Sequence, residues 1–164
     1  DLHSFPTRRS SDLQLGQIEE FRRKMNELAS TLPEYDTVMS MYGVGPTYGP
    51  QLMAEIGDIS RFDHRSAITA FAGVDPGVNQ SGTVNYESNR ASKHGAPRLQ
   101  KTLFQIMTTL LQLAPADDPV YRFMMKKKSE GKPYQVYMTA GANKFLRIYY
   151  GKVKECLAVQ STVE

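Results

Sequence analysis

Met41-Tyr42-Gly43-Val44-Gly45-Pro46, followed by Leu52-Met53-Ala54, is the stretch that decides the fold. Apolar residues at helical spacing flank a Gly-hydrophobic-Gly turn, the pattern of a helix-hairpin-helix. The two glycines let the turn take positive φ, and the N–H groups opening the next helix can hold a phosphate. Such a contact reads no bases, so it positions nucleic acid without choosing a sequence. A plain αα-hairpin with a glycine turn has the same spacing, and the residues alone leave both readings open.

Helical periodicity continues on both sides of the turn. Leu15, Ile18, Phe21, Met25 and Leu28 form one apolar stripe from Gln14 to about Leu32, where Pro33 ends it. Glu19 and Glu20 precede Arg22, Arg23 and Lys24, the order that suits the helix dipole. A lone stripe of this kind fits a connecting helix or one strand of a coiled coil. A helix from about Glu34 to Tyr42 enters the turn, and one starting at Pro46 leaves it and stops at Gly57. Asp63 is placed to cap a short helix through Ile68 and Phe71 that ends at Gly73.

Residues 74–96 lose the period and are rich in turn formers, with Thr83-Val84-Asn85-Tyr86 as a short strand. After Pro97, Leu99, Leu103, Ile106, Met107, Leu110 and Leu113 mark a strong helix that Pro115 stops. Asp118 caps a helix from Pro119 to about Ser129, and Gly131-Lys132-Pro133 opens a last one reaching about Leu157. The expected class is all-α with a long irregular loop: a helix-hairpin-helix core preceded by part of a coiled-coil helix.

Residues 3–13 match one reading frame of a short-read sequencing adapter and carry no features of a signal peptide. Residues 1–13 are therefore set apart, with authentic sequence expected from near Gln14 and the upstream part of the gene missing. The expected organisation is 14–32 connecting helix, 33–157 main domain and 158–164 tail.

The 164 residues are 40% hydrophobic and can bury one core. No apolar run reaches membrane-spanning length. A single cysteine, Cys156, excludes a disulfide framework, and His3, His64 and His94 show no ligand spacing. No metal ligand is expected here. Charge is sorted along the chain. Residues 1–87 hold seven Lys/Arg against twelve Asp/Glu, and residues 88–154 hold thirteen against three. A basic stretch this dense suits phosphate contacts, although a solvated helix surface also fits.

Two groups of side chains bear on chemistry. Ser81 lies between Gln80 and Gly82 in the turn-rich segment, and Arg90, Lys93, His94 and Arg98 follow in an acid-free run. A serine hydroxyl needs a base, or electrophilic help at the group it attacks, before it becomes a useful nucleophile. On spacing alone the turn-residue reading of Ser81 is the stronger one, since a serine before glycine in a loop is usually just that. Lys126, Lys127 and Lys128 begin the second group, with Tyr121, Tyr134, Tyr137, Tyr149 and Tyr150 interleaved among the C-terminal cations. Aromatics beside cations suit single strands or RNA, while helical spacing places at least half of those tyrosines in the core.

The ordered series Gly43-Val44-Gly45-Pro46, Ala54 through Phe62, Ala70 through Gly77, Gln80-Ser81-Gly82 and Ser92 through Leu99 resembles the C-terminal domain of a bacterial insertion-sequence transposase family. The resemblance covers about residues 14–157. In that family a RuvC-like nuclease domain precedes a helical, serine-bearing domain, and a long coiled coil joins them. The resemblance implies a recombinase that acts on DNA with a structured guide (bridge) RNA, homo-oligomeric through the coiled coil and located in the bacterial cytoplasm at the nucleoid. It implies Ser81 as the nucleophile by position, with Gly43, Gly45, Arg90, Lys93, His94, Arg98, Lys126, Lys127 and Lys128 as nucleic-acid contacts. The divalent metal (Mg) it implies belongs to carboxylates of the RuvC-like domain. Glu55, Asp58, Asp63 and Asp75 are expected instead to cap helices or pair with Arg61 and Arg65, and the fragment alone is expected to be inactive. The rival reading is a noncatalytic helix-hairpin-helix module that only holds nucleic acid.

Overall fold

The computed structural model describes residues 7–75, 80–81, 84–85 and 95–162, with side chains over 14–75 and 95–162. The fold is all-helical apart from one tiny antiparallel ribbon. Helix α1 spans Thr7–Ala29, α2 Tyr35–Met39, α3 Gly45–Ile56 and α4 Arg65–Ala72, with a 3-10 turn at Ile59–Arg61. Strands β1 (Gln80–Ser81) and β2 (Val84–Asn85) form the ribbon, followed by α5 at Pro97–Leu113, α6 at Pro119–Ser129 and α7 at Tyr134–Gln160.

Helix α5 is the axis of the core. Leu99, Leu103, Ile106, Met107 and Leu110 recur at three- and four-residue steps and are all buried. Leu113, expected on the same side, is exposed, because the helix ends at Ala114 with φ +46° before Pro115. Helix α7 closes the other side with Met138, Ala142, Phe145, Leu146, Tyr149 and Val153. Gly141 lets α7 approach closely, since a Cβ there would lie 2.7 Å from the Met124 side chain of α6 and 3.1 Å from Met107 of α5.

Several element ends differ from those read in the sequence, each for a local reason. Helix α1 begins at Thr7 rather than Gln14, since residues 7–15 contain neither proline nor glycine to interrupt it. It ends at Ala29 because the hydroxyls of Ser30 and Thr31 bond back to the carbonyls of Glu27 and Leu28, unwinding the last turn before Pro33. Helix α2 is shorter than expected, ending at Met39, because Ser40 Oγ bonds the Thr37 carbonyl and the chain turns toward Gly43. The residue at the α4 cap is His64 rather than Asp63, and its ring meets Ser66 Oγ instead of a backbone N–H. Asp118 caps α6 as expected, accepting from Val120 N at 2.8 Å and Tyr121 N at 2.7 Å. Helix α7 starts at Tyr134 and continues to Gln160, one turn past the expected end.

Only the C-terminal end of α1 joins the core. Ala29 is buried, and Asn26 accepts from the Tyr35 hydroxyl at 2.8 Å. Leu15, Ile18, Phe21, Met25 and Leu28 remain exposed, so the apolar stripe has no partner among the described residues.

Burial of Tyr149 raises its phenol well above the ordinary value, with Glu34 adding to the effect. A raised pKa favours the folded state below pH ~10, and the benefit is lost as pH climbs above that. Urea titrations at pH 7 and pH 11 should therefore show Tyr149→Phe losing about 1.4 kcal/mol less than the parent between the two conditions. Equal losses would remove Tyr149 from the alkaline transition.

Candidate nucleic-acid interface

The turn between α2 and α3 is built on two glycines that are needed for different reasons. Gly43 has φ +80°, and a Cβ there would sit 2.8 Å from the Ile106 carbonyl oxygen and 3.3 Å from Leu110 N. The turn is thus pressed backbone-first onto the middle of α5. Gly45 has φ +57° but open space around it, so only its backbone conformation asks for glycine. Val44, at the α3 cap, supplies no side-chain hydrogen bond. Among the described residues the N–H groups of Gly45 and Thr47 have no acceptor, and Pro46 has no N–H. Two donors therefore face outward at the start of α3, where the dipole favours an anion.

No Lys or Arg lies between Glu34 and Ile56. The side chain of Tyr42 meets an acid: its hydroxyl donates to Asp117 Oδ2 at 3.2 Å, and that carboxylate holds the phenol above its ordinary pKa. The hairpin thus carries two backbone donors and no cationic side chain of its own.

The segment carrying Ser81 leaves the core after α4 and returns to α5 at one point. Gly73, at φ +67°, ends α4 with its N–H bonded back to the last turn, and Val74 N reaches the Thr69 carbonyl. A Cβ on Gly95 would overlap the carbonyl carbon of Ala72 and the nitrogen of Gly73. One on Gly73 would lie 2.7 Å from Gly95 N. Ala96 N donates to the Phe71 carbonyl at 2.9 Å, and Asn143 of α7 donates to the Val74 carbonyl at 3.2 Å. The outgoing and returning strands therefore cross backbone on backbone, with their root fixed against α5 and α7. Farther out, Ser81 pairs with Val84 across the β1–β2 ribbon. The Ser81 side chain lies outside the described residues, as do Arg90, Lys93 and His94.

Arg98 stands exposed in the first turn of α5. It lies eight residues, or about 12 Å along the helix, from the Ile106 carbonyl that Gly43 touches. Of the three lysines on α6, Lys126 and Lys128 are exposed, whereas Lys127 pairs with Glu130 at 2.7 Å and lies over the Phe123 ring. The Lys127 hydrogen bond holds the Glu130 carboxyl below its ordinary pKa. All three lysines also sit in the last turn of α6, where a helix dipole favours cations without any ligand. Tyr137 and Tyr149 are core residues and Tyr121 and Tyr150 are half-buried, which leaves Tyr134 as the one exposed ring of the five. The structure thus places most of the interleaved tyrosines in packing.

The model of the transposase IS116/IS110/IS902 family matches residues 35–122, from α2 into α6 and more than half of the 164 residues. This chain belongs to that transposase family. The pilin gene-inverting protein of Moraxella bovis is 24% identical over 144 residues, covering 88% of this chain and 42% of that protein. The uncharacterised protein of insertion element IS116 from Streptomyces clavuligerus is 25% identical over 115 residues, 70% of this chain and 28% of that protein. The chain spans between 17% and 42% of the length of the curated relatives it matches.

Within this transposase domain one of the two expected roles of the carboxylates, capping, is seen at Asp58, while pairing with the arginines is not seen among the described residues. Asp58 caps the 3-10 turn by accepting from Ser60 N at 2.8 Å and Ser60 Oγ at 2.7 Å, which lowers its pKa. Glu55 accepts from Gln51 at 3.0 Å, and the same Gln51 amide donates to buried Thr102 of α5 at 2.8 Å. No ion pair joins Glu55, Asp58 or Asp63 to Arg61 or Arg65 among the described residues. Arg61 instead stacks on Phe62 and Phe71. No three His, Cys, Asp or Glu side chains come together among the described residues, and no helix there is long and apolar enough to cross a membrane. Sequence reasoning missed the Gly73–Gly95 crossing and the Arg61 stack. The signal for the first was a glycine at each border of the aperiodic segment.

The two hairpin glycines give a sharp comparison. Gly43→Ala should lose about 3 kcal/mol, because left-handed strain adds to collision with the α5 backbone. Gly45→Ala should lose about 1 kcal/mol, from strain alone. Urea midpoints check the order, and equal losses would contradict the close approach of Gly43 to α5.

Proposed function

We propose that this chain is the serine-bearing part of an insertion-sequence recombinase that cuts and rejoins DNA. The observation that carries the reading is the family match over residues 35–122, which contains the glycine hairpin, the rooted segment with Gln80-Ser81-Gly82, and the whole of α5. In this reading Ser81 Oγ attacks a phosphodiester phosphorus and the displaced sugar oxygen leaves with a proton. The resulting phosphoseryl link keeps the bond energy, so the reverse attack by a second strand needs no ATP. Arg90, Lys93, His94 and Arg98 offset the charge that builds on the phosphoryl oxygens. The hairpin donors at Gly45 and Thr47 and the exposed Lys126 and Lys128 hold backbone phosphates without reading bases. Lys127, already paired with Glu130, contributes less.

In the same reading the guide RNA is a partner of the full recombinase, and the divalent cation belongs to its RuvC-like part. Among the described residues no three His, Cys, Asp or Glu side chains come together, and the reading places the ligands of that cation in the RuvC-like part. The exposed stripe of α1 serves as the coiled-coil seam that pairs two copies.

The test uses the full-length recombinase with its guide RNA. Ser81→Ala should abolish recombination and the covalent DNA adduct, read on a denaturing gel, while DNA binding stays close to the parent. Ser88→Ala and Ser92→Ala should be milder. Full recombination by Ser81→Ala would move the nucleophile elsewhere and leave a binding module.

A further inference from the structure

Three cations outside the proposed contacts lie over aromatic rings: Lys144, half-buried over the Phe123 ring that Lys127 shares, and the exposed Arg61 and Lys154. The Arg61 guanidinium carbon lies 4.7 Å from the centroid of Phe62 and 4.4 Å from that of Phe71, whose rings are themselves 5.5 Å apart. Lys154 Nζ lies 5.0 Å from the centroid of Tyr150 on α7. The Tyr150 hydroxyl donates to the carbonyls of Phe62 and Asp63, each at 3.0 Å. These bonds fasten the α7 cation to the two residues immediately after Arg61. Phe71, the ring under Arg61, is also the residue whose carbonyl accepts from Ala96 at the root of the Ser81 segment.

Stacking fixes a guanidinium by its faces and leaves its in-plane N–H groups free. Arg61 and Lys154 are exposed, and neither side chain makes a hydrogen bond or ion pair among the described residues. The adjacent carboxylate, Asp58, is already occupied by Ser60. A long side chain held in one orientation loses little further entropy on meeting a ligand. The ligand chemistry that matches is a singly charged tetrahedral anion repeated along a chain, because both cations are exposed and the Tyr150 hydrogen bonds join the elements that carry them.

We infer that Arg61 and Lys154 form a preoriented phosphodiester-binding platform at the root of the Ser81 segment, placing the nucleic-acid backbone beside the proposed nucleophile. The inference rests on the proposed function. It adds two residues of which that reading makes no use, and assigns them positioning rather than chemistry. Arg61 and Lys154 differ from Lys127 in making no ion pair among the described residues, although Arg61 closes the 3-10 turn and lies near enough to Asp58 to help lower its pKa.

The 164-residue chain, its Arg61→Met, Arg61→Lys and Lys154→Gln variants, and a Lys128→Gln comparator are titrated with a 20-base-pair DNA duplex and an RNA duplex of the same sequence. Titrations at several salt concentrations give the slope of affinity against salt, and thermal melting checks each fold. Arg61→Met keeps an apolar cover over the two rings while removing the charge. Arg61→Met and Lys154→Gln are each expected to weaken binding about five- to tenfold near 0.1 M salt and to reduce the slope by about one. Arg61→Lys should keep the slope. Loss with both duplexes supports a contact to shared phosphodiester chemistry, and loss confined to one duplex supports the platform and names its strand. Parental affinity and slope in both Arg61→Met and Lys154→Gln would overturn the platform alone, and reduce Arg61 to a cover for Phe62 and Phe71. A parent chain that binds neither duplex would overturn the platform together with the proposed function. Should Arg61→Met melt early, Lys154→Gln decides.

Discussion

The rest of the structure depends on a contact between two glycines. Gly73 ends α4 in a left-handed turn, and Gly95 passes so close to it that neither position has room for a side chain. The Ala96–Phe71 hydrogen bond sits beside the crossing and commits the chain to enter α5 from that point. An excursion of about twenty residues normally loses definition with length, and closing its ends costs entropy that grows slowly. Here the closure is made by backbone packing and one hydrogen bond. The segment bearing Ser81 is thereby tied to a rigid base, whatever its outer part does.

That base organises its neighbours. Helix α5 starts at the crossing, is buried along one side, and meets the hairpin turn in its middle through Gly43. Helix α7 holds the same base from the other side, with Asn143 on Val74 and Tyr150 on Phe62 and Asp63. The polar bonds between helices are few and specific. Gln51 bridges Glu55 and Thr102 across α3 and α5, and Tyr42 ties the hairpin to Asp117 before α6. Backbone donors at α3 and stacked cations near the root of the segment are thus delivered by one helical frame.

Much of this frame was legible in the sequence because helices announce themselves by period. Leu99 to Leu110 marked α5, Asp118 marked the start of α6, and Gly43 and Gly45 marked a turn with positive φ. Helix ends were less legible, since Ser30, Thr31 and Ser40 decide them through bonds to nearby carbonyls that compete with the helix by small margins. The crossing left only a glycine at each border of the aperiodic segment as its mark, and nothing in the sequence says that two glycines so far apart will meet. The roles of charged residues were only partly readable. Arg61 sits among acids in sequence, which suggests ion pairs, yet its guanidinium gains more by covering two phenylalanine rings than by reaching a carboxylate already capping a turn. The tyrosines were ambiguous for the opposite reason, since an amphipathic ring suits a core edge and a nucleic-acid surface equally well.

Amide hydrogen exchange at Ala96 tests the crossing most directly. The account predicts that the Ala96 N–H is protected to nearly the degree of core amides in α5 such as Leu103, although it lies just before that helix begins. It also predicts that Gly95→Ala strips this protection while the amides in the middle of α5 stay slow. Exchange of the Ala96 amide in the parent chain at the rate of an unstructured peptide would contradict the account, because the Ser81 segment would then have no fixed root.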